Sequence, residues 1–62
     1  MDCTSYLLAI IEAHPTTTQL FLQPGAVCNI DALPQGLTVD PWGESYSEAR
    51  DADDHVLVRF NV

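Results

Sequence analysis

Apolar residues near the start of the chain recur with the spacing of one helical face. Four of them follow the i, i+1, i+4, i+5 pattern: Tyr6, Leu7, Ile10 and Ile11. At about 3.6 residues per turn this spacing places them together. Thr4 or Ser5 can cap the first turn, and Pro15 ends the segment because the residue before a proline avoids helical geometry. The pattern predicts a helix over residues 4–13, with a buried strand as the competing interpretation.

Alternation of apolar and polar residues predicts the strand at the end of the chain. Residues 55–62 alternate most clearly, and one face carries Val56, Val58, Phe60 and Val62. The other face is mostly polar, which is typical of an antiparallel sheet with one side on a core.

Two further apolar segments predict a hairpin. Residues 16–23 and 26–30 flank Pro24 and Gly25, a pair suited to the central positions of a type II turn. Residues 37–39 predict another short strand. The 62 residues suffice for one small domain, 1–62. We therefore expect an α+β fold, with the N-terminal helix packed on a small antiparallel sheet of three to four strands.

Residues 40–54 concentrate the charge of the chain. Six carboxylates and a single arginine give this segment −5 of the overall −7. Ser45 and Glu48 have the spacing of a capping box, which predicts a short acidic helix over residues 46–52 before the last strand. On that helix Glu44, Glu48 and Asp51 would stack ~5–6 Å apart. Phosphates along a nucleic-acid strand recur on a similar scale.

Aromatic residues accompany this acidic segment. Trp42, Tyr46 and Arg50 recur every four residues, and these residue types dominate binding hot spots. The segment is therefore the expected partner-binding site, with eight candidate residues: Asp40, Trp42, Glu44, Tyr46, Glu48, Asp51, Asp53 and Asp54.

Motifs for catalysis and metal binding do not appear. Asp51, Asp53 and His55 alternate like early calcium-loop ligands, but Val56 and Val62 stand where glycine and glutamate are required. The two cysteines and two histidines lack the paired spacing of zinc sites. A chain this short has little room for a substrate pocket of ~300 Å³ beside a core. We expect no enzyme activity, no cofactor and no metal site.

The cysteines and the apolar runs suggest a compartment. Cys3 and Cys28 allow one disulfide at most, and no basic region precedes the first apolar run. No run approaches the ~20 apolar residues of a membrane span. These features predict a cytoplasmic protein with both thiols reduced.

Net charge indicates the kind of partner. Lysine is absent, so the field of the chain repels nucleic acid and anionic membranes and suits a basic protein surface. In size, acidity and lack of catalytic signatures the chain resembles small phage-encoded inhibitors, including anti-CRISPR proteins and other DNA mimics. The resemblance implies a non-catalytic inhibitor whose acidic surface mimics nucleic acid. Its partner would be a basic nucleic-acid-binding protein such as a CRISPR–Cas subunit, in the host cytoplasm.

Two other classes of function fit the same sequence. One is a structural or assembly protein that forms a homodimer, or docks on a larger subunit, through its sheet and the face with Val56, Val58 and Phe60. The other is a small metal-binding protein. Salt dependence of binding separates the first from the inhibitor, because contacts between charges weaken as salt rises.

Overall fold

The computed structural model describes residues 2–62 and has an α+β fold. One helix precedes a sheet whose strands lie in the order β2-β1-β3-β4. The elements in chain order are α1 (Thr4–Ala13), β1 (Gln19–Leu22), a 3₁₀ turn (Ile30–Ala32), β2 (Thr38–Pro41), β3 (Ser47–Arg50) and β4 (Val56–Phe60). The predicted fold class and the predicted bounds of α1 are confirmed. The last strand is also present, but it spans Val56–Phe60 where residues 55–62 were predicted.

Helix α1 begins with a carboxylate at its N-terminal end. Asp2 Oδ1 accepts the backbone N–H of Thr4 at 2.7 Å and also accepts the Thr4 hydroxyl. This contact satisfies one of the free first-turn donors and places negative charge at the positive end of the helix. The cap acceptor is therefore Asp2, where the sequence suggested Thr4 or Ser5. The helix ends at Ala13, and His14 caps its C-terminus directly before Pro15.

The sheet is mixed, whereas a wholly antiparallel sheet was predicted. β1 pairs with β2 in parallel and with β3 antiparallel, and β3 pairs antiparallel with β4. Leu20 lies opposite Val39 on one side and Ala49 on the other, and Ala49 lies opposite Val58. Because directly opposed residues share a face, these side chains form one apolar surface across all four strands.

That surface and α1 enclose the core. Its buried residues form one cluster: Leu7, Leu20, Leu22, Leu33, Ala49 and Phe60. Leu7 comes from the helix and Leu33 from the connection between β1 and β2. Burying a leucine fully contributes ~1.5–3 kcal/mol, so this cluster is the main support of a small domain.

The predicted hairpin after β1 does not form. The turn at Pro24 and Gly25 is present, with Gly25 at φ 85°, but residues 26–29 pair with the start of α1. Cys3 N–H donates to the carbonyl of Val27 at 2.8 Å. The chain then crosses to the far side of β1 and enters β2 in parallel, which a tight two-residue turn cannot accomplish.

Cys3 and Cys28 form a disulfide, with their Cα atoms 4.8 Å apart and 25 positions apart in sequence. The expectation of two reduced thiols was therefore wrong. The bond ties the start of α1 to the connection between β1 and β2. Closing a loop of this length stabilises a folded chain by about 3 kcal/mol, mainly by restricting the unfolded state.

The predicted acidic helix over residues 46–52 was also wrong, because these residues contribute β3. Ser47, Glu48 and Ala49 are buried between β1 and β4. A polar helix of two turns has little intrinsic stability, whereas an inner strand gains ladder hydrogen bonds on both sides. Ser47 Oγ instead accepts the backbone N–H of Gln23 at 2.9 Å and donates to Gln23 Oε1 at 3.1 Å.

Candidate functional site

The sheet has a second face, opposite α1. Side chains alternate along a strand, so Phe21, between the buried Leu20 and Leu22, projects to this second face. Phe21 lies opposite Asp40 on β2 and Glu48 on β3, and Glu48 lies opposite Arg59 on β4. We call this surface the aromatic–arginine face, and its members are Phe21, Trp42, Tyr46, Glu48, Arg50 and Arg59.

Glu48 occupies the centre of the aromatic–arginine face. Its side chain is only 1% exposed and it contacts both arginines of the chain. Arg50 Nε donates to Glu48 Oε2, and Arg59 Nε lies 3.3 Å from Glu48 Oε1. A buried carboxylate needs such partners, since an uncompensated buried charge is costly. The two ion pairs explain how β3 can carry a charge between two strands.

Three aromatic rings pack around these charges. The ring centre of Trp42 lies 5.3 Å from that of Phe21 and 5.4 Å from that of Tyr46. Trp42 Nε1 donates to the carbonyl of Tyr46 at 2.7 Å. This bond closes the loop between β2 and β3 and fixes the Trp42 side chain against the backbone of Tyr46.

The arginines also contact the rings. The Arg50 guanidinium carbon lies 4.5 Å from the Phe21 ring centre and 5.5 Å from that of Trp42. Arg59 lies 5.3 Å from the Tyr46 ring centre. Both arrangements have the distance of a cation–π interaction. Hydrogen bonds with Glu48, and then with Asp54, raise the pKa of Arg50 above its usual value, so Arg50 keeps its positive charge.

The structure brings Trp42, Tyr46 and Arg50 together, as their four-residue spacing suggested. They do not lie on a helix: Trp42 and Tyr46 are in the loop between β2 and β3, and Arg50 is in β3. It does not bring together the carboxylate row. Glu48 is buried, Glu44 lies in the loop before β3, and Asp51 follows β3. The prediction of three stacked acids on a helix was therefore wrong, because it depended on a helix that the chain does not form.

Asp51 organises the turn between β3 and β4. Its Oδ1 accepts the backbone N–H groups of His55 at 3.0 Å and Asp53 at 2.9 Å. These hydrogen bonds, that from His55 first, lower the pKa of Asp51. Asp54 adopts φ 65° and its Oδ1 lies 3.0 Å from Arg50 Nη1. The turn thus joins the aromatic–arginine face at Arg50.

One grouping of potential metal ligands lies in this turn. Asp51, Asp53 and His55 each offer a ligand atom within 4.8 Å of the others. Asp53 and His55 are exposed, and Asp51 Oδ1 already accepts two backbone N–H groups. The metal-binding alternative stays a prediction.

Exposed carboxylates border the aromatic–arginine face. Glu44 lies in the loop between Trp42 and Tyr46, and Asp53 and Asp54 lie in the turn beyond Arg50. We call Glu44, Asp53 and Asp54 the acid rim. Asp40 is also exposed and ends the row of side chains on the outer strand β2. Seven of the eight predicted site residues therefore lie in this face or at its border, although Glu48 is buried there. They are Asp40, Trp42, Glu44, Tyr46, Glu48, Asp53 and Asp54.

Sequence reasoning missed Phe21 and Arg59 as members of the site. Phe21 carried a usable signal, since it alternates with two leucines and must project away from them. Arg59 also carried a signal, since it alternates with the apolar residues Val58 and Phe60 of β4 and must project away from them. Their contact with Glu48 depends on which strands pair, and local spacing does not specify that.

Comparison with protein-family models, with curated proteins and with solved structures gives no match for this chain. Within residues 2–62, no helix has the length and apolar character that crossing a bilayer requires.

Proposed function

We propose that this chain is a non-catalytic binding protein whose aromatic–arginine face and acid rim bind a basic surface of another protein. One observation carries the proposal. Both arginines contact the buried Glu48 and Arg50 also pairs with Asp54, so within residues 2–62 the other seven carboxylates form no ion pair with an arginine. Seven of the nine carboxylates are exposed: Asp2, Glu12, Asp31, Asp40, Glu44, Asp53 and Asp54.

The arrangement has the anatomy of an interface. Interfaces combine a centre rich in Trp, Tyr, Phe and Arg with a polar rim. Here the centre contains three packed rings, and the Trp42–Tyr46 hydrogen bond and the Glu48 ion pairs hold it in place. A surface that is already ordered loses less conformational entropy on binding. The rim then supplies attraction to a basic partner and sets the rate of association.

A finer form of the proposal concerns the partner. The basic surface would be a nucleic-acid-binding site, from which the chain excludes nucleic acid, as DNA mimics and anti-CRISPR proteins do. A CRISPR–Cas subunit in the cytoplasm of a phage host is one such partner. The charge of −7 and the lack of lysine support this. The chain does not form the regular row of carboxylates that the sequence predicted. Mimicry would therefore depend on the overall anionic field and the acid rim.

The test begins with capture of partners from source cells at low and high salt, and the captured protein is then purified. Its affinity for this chain is measured in the presence and absence of labelled nucleic acid. The variant Glu44→Gln/Asp53→Asn removes two charges from the acid rim. Its matched control, Glu12→Gln/Asp2→Asn, removes two charges elsewhere and retains an oxygen acceptor at the start of α1.

We expect the rim variant to bind about tenfold more weakly, or ~1.4 kcal/mol, and the control to change much less. High salt should weaken the native complex. An affinity that does not change with salt, or equal losses of affinity in the two variants, would contradict the proposed surface. If labelled nucleic acid and this chain bind the partner together, the mimicry is wrong while the binding function survives.

A structural or assembly role is the second candidate. The observation that favours it is the outer strand β4, where Val56 is 43% exposed and the strand has a free edge. Sedimentation over a range of protein concentrations checks this role. A dimer that persists at high salt, and that Val56→Lys disrupts, would favour assembly over the acidic interface.

A further inference from the structure

Two shallow cavities adjoin along the outer edge of β2. One has a volume of about 270 Å³ and is lined in part by Asp31 and Leu37. The other has a volume of about 330 Å³ and is lined in part by Cys28 and Asp40. They share Ile30 and Val39, so together they form a groove beside the strand, which we call the β2 groove.

The backbone of β2 offers hydrogen bonds toward this groove. Thr38 N–H donates to the carbonyl of Thr18 at 2.9 Å, and Trp42 N–H donates to the carbonyl of Leu22 at 3.0 Å. Alternate residues of a strand direct their backbone groups to opposite sides. The N–H and C=O of Val39 therefore point away from β1, toward the open edge. Pro41, two residues further on, has no N–H.

The borders of the β2 groove are anionic and its centre is apolar. Asp31 and Asp40 are both exposed, and neither forms an ion pair or a side-chain hydrogen bond among residues 2–62. Between them lie Val39 and Ile30, and Ile30 is 43% exposed. The groove thus combines the outward N–H and C=O of Val39, an exposed apolar side chain and two carboxylates that form no ion pair among the described residues.

The wall of the groove is fixed before any ligand arrives. Cys28 is bonded to Cys3 at the start of α1, and Asn29 N–H donates to Thr4 Oγ1 at 2.7 Å. The 3₁₀ turn Ile30–Ala32 follows directly. Since these contacts hold the connection against the helix, a ligand need not order it, and less conformational entropy is lost on binding.

We propose that the β2 groove binds an extended segment of a partner protein in which an apolar side chain lies between two basic ones. The segment runs antiparallel to β2, and one of its residues exchanges both backbone hydrogen bonds with Val39. Opposed residues share a face, so the side chain of that residue enters the groove beside Val39 and Ile30.

The register then places the basic residues. The residue before the apolar one lies opposite Asp40 and projects to the same face of the sheet as Asp40, away from the groove, where a lysine or arginine forms an ion pair. The residue two places after it lies opposite Leu37, and its side chain is on the groove side near Asp31. The segment recognised is therefore basic, apolar, any residue, basic. Strand addition of this kind combines backbone hydrogen bonds with pockets for alternate side chains. It uses Asp31, Asp40 and Val39, so it is independent of the acid rim.

The test uses a short peptide, Thr-Lys-Leu-Thr-Lys-Thr with blocked ends, titrated into ¹⁵N-labelled protein with its disulfide intact. Amide shifts are followed by NMR. We expect the largest shifts at Val39 and at the residues that line the groove. The matched control peptide has an N-methyl group on its leucine, which removes the N–H that would donate to the Val39 carbonyl. This control should bind far more weakly without any change to the protein.

Two protein variants distinguish the effect of the carboxylates beside the groove from the effect of net charge. Asp31→Asn/Asp40→Asn removes the charges that border the groove and should weaken peptide binding about fivefold, as expected for two exposed ion pairs. Glu12→Gln/Asp2→Asn makes the same change in net charge at α1, outside both the groove and the acid rim, and should leave the affinity nearly unchanged. Thermal melting checks that both variants fold.

Several results would overturn the proposal. The N-methyl peptide cannot donate to the Val39 carbonyl, so equal binding of both peptides rules out strand addition. Equal losses in the two variants would show general charge attraction only. Absence of shifts at millimolar peptide would show that the groove does not accept such a segment. If the Val39 amide shifts with protein concentration alone, the occupant of this edge is a second copy of the chain.

Discussion

Arg59 lies directly opposite Glu48 in the pairing of β3 with β4, and its Nε is 3.3 Å from Glu48 Oε1. The two side chains differ greatly in exposure, since 63% of the Arg59 side chain and 1% of the Glu48 side chain are exposed. Arg59 therefore covers a buried carboxylate that Arg50 contacts from within its own strand. The stability of the sheet should depend far more on Glu48 than on Arg59.

We predict that Glu48→Gln lowers the free energy of unfolding by about 3 kcal/mol, because it leaves two arginines without their shared partner in a partly buried setting. Arg59→Gln should cost only about 1 kcal/mol, since the site that it leaves is exposed to water. Urea denaturation measures both. Glu44→Gln is the control for loss of one acidic charge, and a cost equal to that of Glu48→Gln would contradict the central role of Glu48.

Reduction of the Cys3–Cys28 disulfide should lower the free energy of unfolding by about 3 kcal/mol. The bond joins positions 25 apart in sequence, so its loss frees a long loop in the unfolded chain. Urea denaturation with and without a phosphine reductant measures the difference. The double variant Cys3→Ser/Cys28→Ser should match the reduced protein and show no response to the reductant.

Acid should destabilise the fold through Asp2 and Asp51. Hydrogen bonds lower the pKa of both carboxyls from 3.8, chiefly those from Thr4 to Asp2 and from His55 to Asp51. A lowered pKa in the folded state means that the contribution to stability is present above the unfolded value and is lost as pH falls below it. Stability should therefore decline below about pH 4.

The variant Asp51→Asn tests this pH dependence. An asparagine oxygen can still accept the two backbone N–H groups of the turn, but it does not titrate. The decline of the melting temperature in acid should become shallower than in the native protein. Glu12→Gln removes a carboxylate that lies on the exposed side of α1. An equally shallow decline in that variant would mean that total charge, rather than the turn, sets the acid sensitivity.

The left-handed backbone of Asp54, at φ 65°, should be visible in a pair of substitutions. Asp54→Gly and Asp54→Ala both remove the contact with Arg50, so their difference isolates the backbone. Glycine adopts positive φ freely, whereas alanine loses about 1 kcal/mol there. Chemical denaturation should thus show Asp54→Gly to be the more stable. Equal stabilities would indicate that the turn changes its conformation in solution.

Local sequence patterns were sufficient to predict α1, β4 and the turn at Pro24 and Gly25. In each case the signal is contained within a few neighbouring residues, as a periodicity, a proline or a glycine with positive φ. The capping-box spacing of Ser45 and Glu48 is equally local, yet it misled, because burial between two strands outweighs a weak helix preference.

Strand order depended on information that lies far apart in sequence. The parallel pairing of β1 with β2 follows from the path of residues 23–37, which the Cys3–Cys28 bond and the contacts at the start of α1 direct. The aromatic–arginine face depends on the same pairing, since Phe21 meets Glu48 only when β1 lies beside β3. Composition therefore predicted the kinds of residue at the site, and the structure supplied their arrangement.

Pro41 bears on the behaviour of the protein at high concentration. It terminates β2 two residues after Val39, and it offers no donor to an added strand. A segment that pairs with this edge is thus limited to a short register around Val39. Long ladders, of the kind that extend from one molecule to the next in fibrils, cannot propagate along β2. The same edge can pair with a short segment of a partner and still resist aggregation.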